Sequence, residues 1–367
     1  MNKINLYAAL FPLLLFAGCV NGSKTPEQWQ KISTTDLNFM YQQIMENHPG
    51  PVNKEDPLFT KNLEESYKTA LKQAPSITNK TEYWQMMHTF TKSFKDSHLR
   101  VFSAKQKKSS HQKQDLILAE DAPFYYEDVA PKVALIRIPT FEPSDKQKLE
   151  LEKIIKILPS LRTHNAIIFD VHNNGGGDSE WGNKMIEALF SPEYAQPKID
   201  VLFQSVTIDF RASPANLIHW KKLATLNQGW ENLCTKMEKA LCEGEPFVHI
   251  VCQGSTNSST LPVKDPVKAK IIVIMNSHCF SACLDFIDGL TSLNHPIVLF
   301  GETTGADALY IDVDVKELPS KRGSFQLPLK VYRGRKRGNN IPYTPDVVHQ
   351  GNFEDKTELI KAVSKLI

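Results

Sequence analysis

A chain of 367 residues with 41% hydrophobic and 23% charged content carries enough apolar mass for a large core, is long enough for two domains, and is not a disordered protein. Its 43 basic and 41 acidic residues leave a net charge of +2, without the strong basic field of a typical nucleic-acid binder, so no nucleic-acid partner is expected.

The chain opens on MNKINLYAALFPLLLFAGC, with Lys3 ahead of an apolar run from Leu6 to Phe16. That run is too short to span a bilayer and reads as a signal peptide. Its end, LFAGC, resembles the bacterial lipobox, in which cleavage precedes a cysteine that becomes lipidated. The expectation is a lipoprotein-type signal peptide over residues 1–18, lipidation at Cys19 and a polar tether over 19–27. The protein would then be exported to the bacterial cell envelope and held on a membrane, facing the periplasm. An ordinary signal peptide with an incidental cysteine is the alternative.

Residues 28–103 read as a helical domain. SITNKTEYWQMMHTFTKSF has an N-capping signal and apolar residues at Tyr83, Met87, Phe90 and Phe94, the spacing of one helix face. The domain ends in the segment DSH, and residues 104–131, including the polar and basic AKQKKSSHQKQD, form a linker and loop. From 132 to 367 strands alternate with helices: KVALIRIPTF, HNAIIFDVH, AKIIVIMN and HPIVLFGE are strands, and KQKLELEKIIKILPSL is a helix between the first two. This order implies an α/β core of parallel strands covered by helices, with a less regular insertion at about 200–268.

With Cys19 set aside, Cys234, Cys242, Cys252, Cys279 and Cys283 remain, an odd number that leaves at least one thiol unpaired within the chain. Cys234 and Cys242 are the nearest candidates for a disulfide. Neither paired CxxC nor HExxH occurs, so no metal and no cofactor are expected.

Three stretches put reactive or permissive residues beside apolar strands. FDVHNNGGGDSEWG carries Gly175, Gly176 and Gly177 between a strand and a helix, where backbone N–H groups can converge on an anion. In SHCFSACLDF, Ser281 stands at a helix N-terminus, where the dipole favours developing negative charge and the Ala282 N–H can meet it. Ser277 falls too early, on the strand exit, and Cys279 and Cys283 read as small buried filling. In TKSFKDSHLRVF, His98 lies in a turn between a helix and a short β-like run.

Together these stretches resemble the C-terminal-processing and tricorn-core serine peptidases, whose core has the Clp-protease/crotonase type of fold. FKDSHLRV is similar to that family's D-G-H-T or S-H segment, KVALIRIPTF to G-Y-I-R-I-P-x-F and FDVHNNGGG to D-x-R-x-N-x-G-G. SACL matches S-A-x-E except at Leu284, LFGETTG matches V-G-E-x-T-x-G, and IPYTPDVV the closing P-D-x-x. The space after His98 is too short for a PDZ domain. Processing peptidases of the family use a lysine base some 25 residues after the serine, but Ile271 to Val315 contains neither lysine nor arginine, and Asp307 stands near the expected place. The resemblance therefore implies the tricorn-like arrangement: Ser281 as nucleophile, His98 as general base, with Ser97 and Asn339 orienting it, since counting back from Pro345-Asp346 puts the family's glutamate position at or beside Asn339. The Ala282 N–H and that of Gly175 or Gly176 would form the oxyanion hole.

The expected function is an exported serine endopeptidase acting on peptides or proteins through an acyl-enzyme. The alternatives are a non-catalytic binding protein on the same fold and a thiol enzyme using Cys279 or Cys283. A crotonase-like acyl-CoA enzyme fits poorly with export. The run YRGRKRGNN reads as a solvated turn or as a site for a peptide carboxylate. The sequence gives no oligomeric state.

Overall fold

Two β-sheets of opposite character organise the protein, whose computed structural model describes residues 24–94, 96–104, 122–251 and 263–367. The signal-peptide and lipidation expectations, with Cys19, and also Cys252 lie outside the described residues. Helices α1 (Pro26–Asn47), α2 (Phe59–Gln73) and α3 (Lys80–Lys92) come first, followed by the short strand β1 (Val101–Ser103). Thr25 and Gln28 form a capping box at the start of α1, and Asn79 accepts the Glu82 amide at the start of α3. Each cap satisfies N–H groups that a helix end leaves unpaired.

Then come β2 (Tyr125–Ala130), β3 (Val133–Arg137), α4 (Asp145–Ile157), β4 (Ala166–Asp170), α5 (Ser179–Phe190) and α6 (Pro192–Phe203). β5 (Thr207–Arg211), α7 (Pro214–Ala224), α8 (Glu231–Glu243) and β6 (Phe247–Val251) follow. The last third holds β7 (Lys270–Met275), α9 (Ala282–Thr291), β8 (Ile297–Gly301), β9 (Tyr310–Glu317), β10 (Gly323–Arg333), β11 (Val347–Val348) and α10 (Lys356–Val363).

The first sheet has the order β11-β8-β7-β4-β3-β2, parallel except where β2 meets β3. Its central strands are nearly unbroken apolar runs, VALIR, AIIFD and KIIVIM, because both faces are covered. One face packs against α4, α5, α6 and α9 through Leu151, Ile186, Tyr194 and Phe286. The other meets Leu359 and Val363 of α10. The fold is α/β with a core of parallel strands and helices and a helical N-terminal region, as the alternation of patterns implies.

The second sheet is antiparallel throughout, with the order β1-β10-β5-β6 and β9 also paired to β10. Leu37, Met40, Tyr83 and Phe90 of α1 and α3 pack against Phe325, Leu327 and Val331 of β10. Trp220 and Met237 of α7 and α8 cover Phe210, Val248 and Leu329 on other strand positions. The stretch expected as an insertion thus supplies β5, β6, α7 and α8 to this sheet, and the N-terminal helices share a core with strands from the C-terminal third. Nothing local in residues 28–103 announces that partnership.

The Cys234–Cys242 disulfide does not form: both are free. They sit eight residues apart on α8, a rise of about 12 Å, whereas a disulfide needs Cα atoms within roughly 7 Å.

Candidate active site

β7 leaves the parallel sheet through a turn in which the Cys279 amide donates to Asn276 O at 2.9 Å. Ser281 is the N-cap of α9, with φ 55° and ψ −125°. An N-cap serine commonly spends its oxygen on the amide two or three residues on. Ser281 makes no such bond, so its Oγ is left for another partner. A side-chain-bearing residue in this backbone region costs about 1–3 kcal/mol. Neighbouring bonds hold it there: the Phe280 amide donates to Asn174 O at 3.1 Å, and the Leu284 amide to Ser281 O at 2.7 Å.

His98, from the segment after α3, places Nε2 3.5 Å from Ser281 Oγ, the loose nucleophile–base separation common without substrate. The ring lies against Phe280 at a centroid distance of 4.7 Å and is 9% exposed. Burial pushes the imidazole pKa below its ordinary value; Asp96 and Asp307 pull it upward, Arg100 pushes it down and Asp312 pulls it up. The ring is therefore neutral at neutral pH, the state in which Nε2 can accept a proton.

The other expected residues divide. Ala282 lies at the first turn of α9 with its N–H unpaired among the described residues, as a helix start dictates. Gly176, at φ 99°, passes so close to the serine that an added Cβ would lie 2.7 Å from Ser281 Cβ and from Phe280 O. Its N–H, however, donates to Asn174 Oδ1 at 2.9 Å, so it is not free to meet an oxyanion. The exposed Gly175 N–H has no such partner among the described residues. Ser97 Oγ donates to Ala306 O at 3.0 Å and so ties its segment down without touching the ring. Asn339 is exposed, and its Oδ1 accepts the Leu309 amide at 3.1 Å. It does not reach the imidazole, whose Nδ1 is buried without a hydrogen-bond partner among the described residues.

Sequence reasoning missed two supports. Asn174 organises the glycine loop: its Nδ2 donates to Ile138 O at 3.0 Å while its Oδ1 and O receive the Gly176 and Phe280 amides. Asp96, two residues before His98, accepts the His98 amide at 2.9 Å through Oδ1 and faces His48 Nε2 at 3.0 Å through Oδ2. The short Asp-x-His spacing was a readable cue for the first of those bonds; His48 gave none.

The arginines of the basic run are drawn into ion pairs, while Lys336 is exposed. The Arg337 side chain is 4% exposed and places Nε 3.1 Å from both Asp288 oxygens, Nη1 2.5 Å from Asp307 Oδ1 and Nη2 3.6 Å from Asp285 Oδ1. Arg335 reaches Asp307 Oδ2 at 2.9 Å. The acid standing where a lysine base was sought is thus consumed by two arginines.

Asp285, one turn into α9, has its pKa raised from 3.8 to about 6, first by burial and then by Asp307 and Asp288, against a lowering bond from Ser179 and the charge of Arg337. A carboxyl whose folded pKa is raised contributes stability in full below pH 4 and loses it as pH rises through about 6. Asp285→Asn is therefore expected to flatten that slope: unfolding free energies of the variant relative to the parent should rise between pH 4 and 7. A constant difference across that range would show that Asp285 does not titrate there.

Cys279 and Cys283 are fully buried. Burial and the neighbouring Cys279 push the Cys283 thiol well above its ordinary value, so it stays protonated and unreactive. This removes the structural basis for a thiol enzyme. Among the described residues no cluster of His, Cys, Asp or Glu could hold a metal ion, and no helix is long and apolar enough to cross a membrane.

No curated protein matches the sequence. Among solved structures, a point mutant of CPAF aligns with 93% of this chain and 97% of its own, at 13% identity and a TM-score of 0.57. Mature CPAF complexed with lactacystin aligns over 92% and 98%, at 14% identity and a TM-score of 0.56. These likenesses establish a shared fold. The model of peptidase family S41 matches residues 132–348, a span that contains the parallel strands of the first sheet, the glycine loop and Ser281. That span is more than half of the chain, and the chain belongs to peptidase family S41.

Proposed function

We propose that the protein is a serine endopeptidase that hydrolyses peptide bonds through an acyl-enzyme at Ser281, with His98 as general base. The observation that carries this reading is the 3.5 Å approach of a free N-cap hydroxyl to a buried imidazole. Ser281 Oγ attacks the scissile carbonyl and its proton passes to His98 Nε2. The oxyanion forms beside the Ala282 and Gly175 N–H groups, each such donor contributing about 3 kcal/mol to the transition state. His98 then protonates the leaving amine, and a water activated by the same nitrogen releases the acyl group.

Peptide or protein substrates follow from family membership. Export, with a lipid anchor at Cys19 on the periplasmic side of a membrane, is supported by residues 1–19 of the sequence. The mechanism requires no cofactor.

A fluorophosphonate probe should label the purified protein with one adduct, located by peptide mass spectrometry at Ser281, and labelling should collapse in His98→Gln. The second reading, a binding protein that has lost catalysis, is favoured by one observation: among the described residues His98 Nδ1 has no hydrogen-bond partner. A folded protein that remains unlabelled would decide for that reading.

A further inference from the structure

The usual partner of a catalytic imidazole is a carboxylate on its second nitrogen, and among the described residues His98 Nδ1 has no hydrogen-bond partner. The charges around the ring come from several elements. Asp96 and Arg100 belong to its own segment, while Asp307 and Asp312 act on it from the chain just before β9 and from β9 itself. Asp307 is neutralised by Arg335 and Arg337, and Asp312 is paired with Lys330 at 2.7 Å. Arg100 lies over the Phe280 ring at 4.8 Å and donates to Ser97 O. Asp96 differs from the other two acids: among the described residues no lysine or arginine nitrogen stands within ion-pair distance of it, and it is 4% exposed.

A buried carboxylate without a cation needs donors, and these are precisely oriented. Gly50 donates its N–H to His48 Nδ1 at 2.9 Å, which fixes His48 as the tautomer with its proton on Nε2. That proton points at Asp96 Oδ2, 3.0 Å away, and the His98 backbone N–H binds Oδ1 at 2.9 Å. His48 is itself locked, fully buried and stacked on Phe59 with ring centroids 4.7 Å apart and planes 11° from parallel, with Tyr310 edge-on at 4.7 Å. Each bond gives the carboxylate a donor and holds it on the segment that carries the imidazole.

We propose that Asp96, gripped by His48, is the positioning carboxylate of His98: it fixes the backbone that aims the ring at Ser281 and supplies the negative charge that stabilises the imidazolium, a task the exposed Asn339 does not perform. The inference rests on the Ser281–His98 reading for its catalytic meaning, while its electrostatic content stands apart from turnover. When His98 takes the Ser281 proton, the new positive charge faces a fixed negative one through a low-dielectric wall, where such an interaction counts for more than in water. His48 acts one step further back, holding Asp96 in place.

The test is an NMR titration of the His98 ring in the full-length protein, its resonance assigned by loss in His98→Gln, compared across Asp96→Asn, His48→Leu and His48→Gln. Asp96→Asn keeps the size and removes the charge, and should lower the His98 pKa by about one unit or more, roughly a tenfold change in proton affinity. His48→Leu should move it the same way, and His48→Gln, which retains a donor, should recover part of the shift. In the labelling reaction the acid limb of the rate should move to lower pH in Asp96→Asn, with a slower plateau. A His98 pKa unchanged in Asp96→Asn, with the amide fingerprint preserved, would overturn the proposal even if Ser281 is labelled. A shifted pKa in a protein that no probe labels would instead uphold the electrostatics and sink the peptidase reading.

Discussion

Ser281→Ala is expected to lower peptide turnover by roughly four to six orders of magnitude, with His98→Gln falling to a similar depth and the double variant little lower than either. The non-additivity is the informative part. A hydroxyl 3.5 Å from its base is useful only as a pair, so removing either member removes the same step. What survives should come from binding and the amide donors at Ala282 and Gly175. Steady-state kinetics on a casein-type substrate, with circular dichroism to establish folding, provides the measurement. Full turnover in Ser281→Ala would place the nucleophile elsewhere.

Arg337→Ala should cost about 3–5 kcal/mol of folding stability at pH 8, the usual penalty for deleting one partner of a buried ion network. The reason is the company this guanidinium keeps: Asp285, Asp288 and Asp307 all lie within 3.6 Å of its nitrogens. Tyr343 donates to Asp288 at 2.5 Å but brings no positive charge. Without Arg337 the carboxylates face one another, with only Arg335 left on Asp307. Protonation relieves that repulsion, and Asp285, already raised to about 6 with the arginine present, would take its proton first. The deficit should therefore shrink as pH falls from 8 through 6. Arg337→Lys should recover only part of the loss, because an ammonium cannot reproduce the fork. Urea denaturation at pH 8 and pH 5 separates the outcomes, and a deficit equal at both would mean that the cluster is not electrostatically stressed.

The parallel sheet was legible because its signal is local and redundant. Four apolar runs of strand length, spaced by helical patterns, admit few arrangements, and the glycine loop and Ser281 both fall just past strand ends, where such sheets carry their sites. The second sheet was not. β10 pairs with strands from residues 101–103, 207–211 and 310–317, and no local pattern in any of them names its partners. The site divides along the same line. Ser281 and Ala282 follow from position at one strand-to-helix junction. The assignment to Asn339 rested on counting back from Pro345-Asp346, and it fails in the structure because that side chain caps the Leu309 amide on the surface. Asp96 and His48 were out of reach because their pairing spans 48 residues and depends on a tautomer set by the Gly50 amide.

The proposed nucleophile and base stand 183 residues apart and ride on different scaffolds: Ser281 on the parallel sheet, His98 on the segment that joins α3 to the antiparallel one. Only where the two scaffolds dock do the reacting atoms meet, and their separation already sits at the outer edge of a hydrogen bond. Parting the scaffolds by a further ångström would leave both cores intact and the chemistry idle. On the proposed mechanism, catalytic competence is thus a property of a joint, and anything that tightens or loosens that joint acts as a throttle without touching either residue.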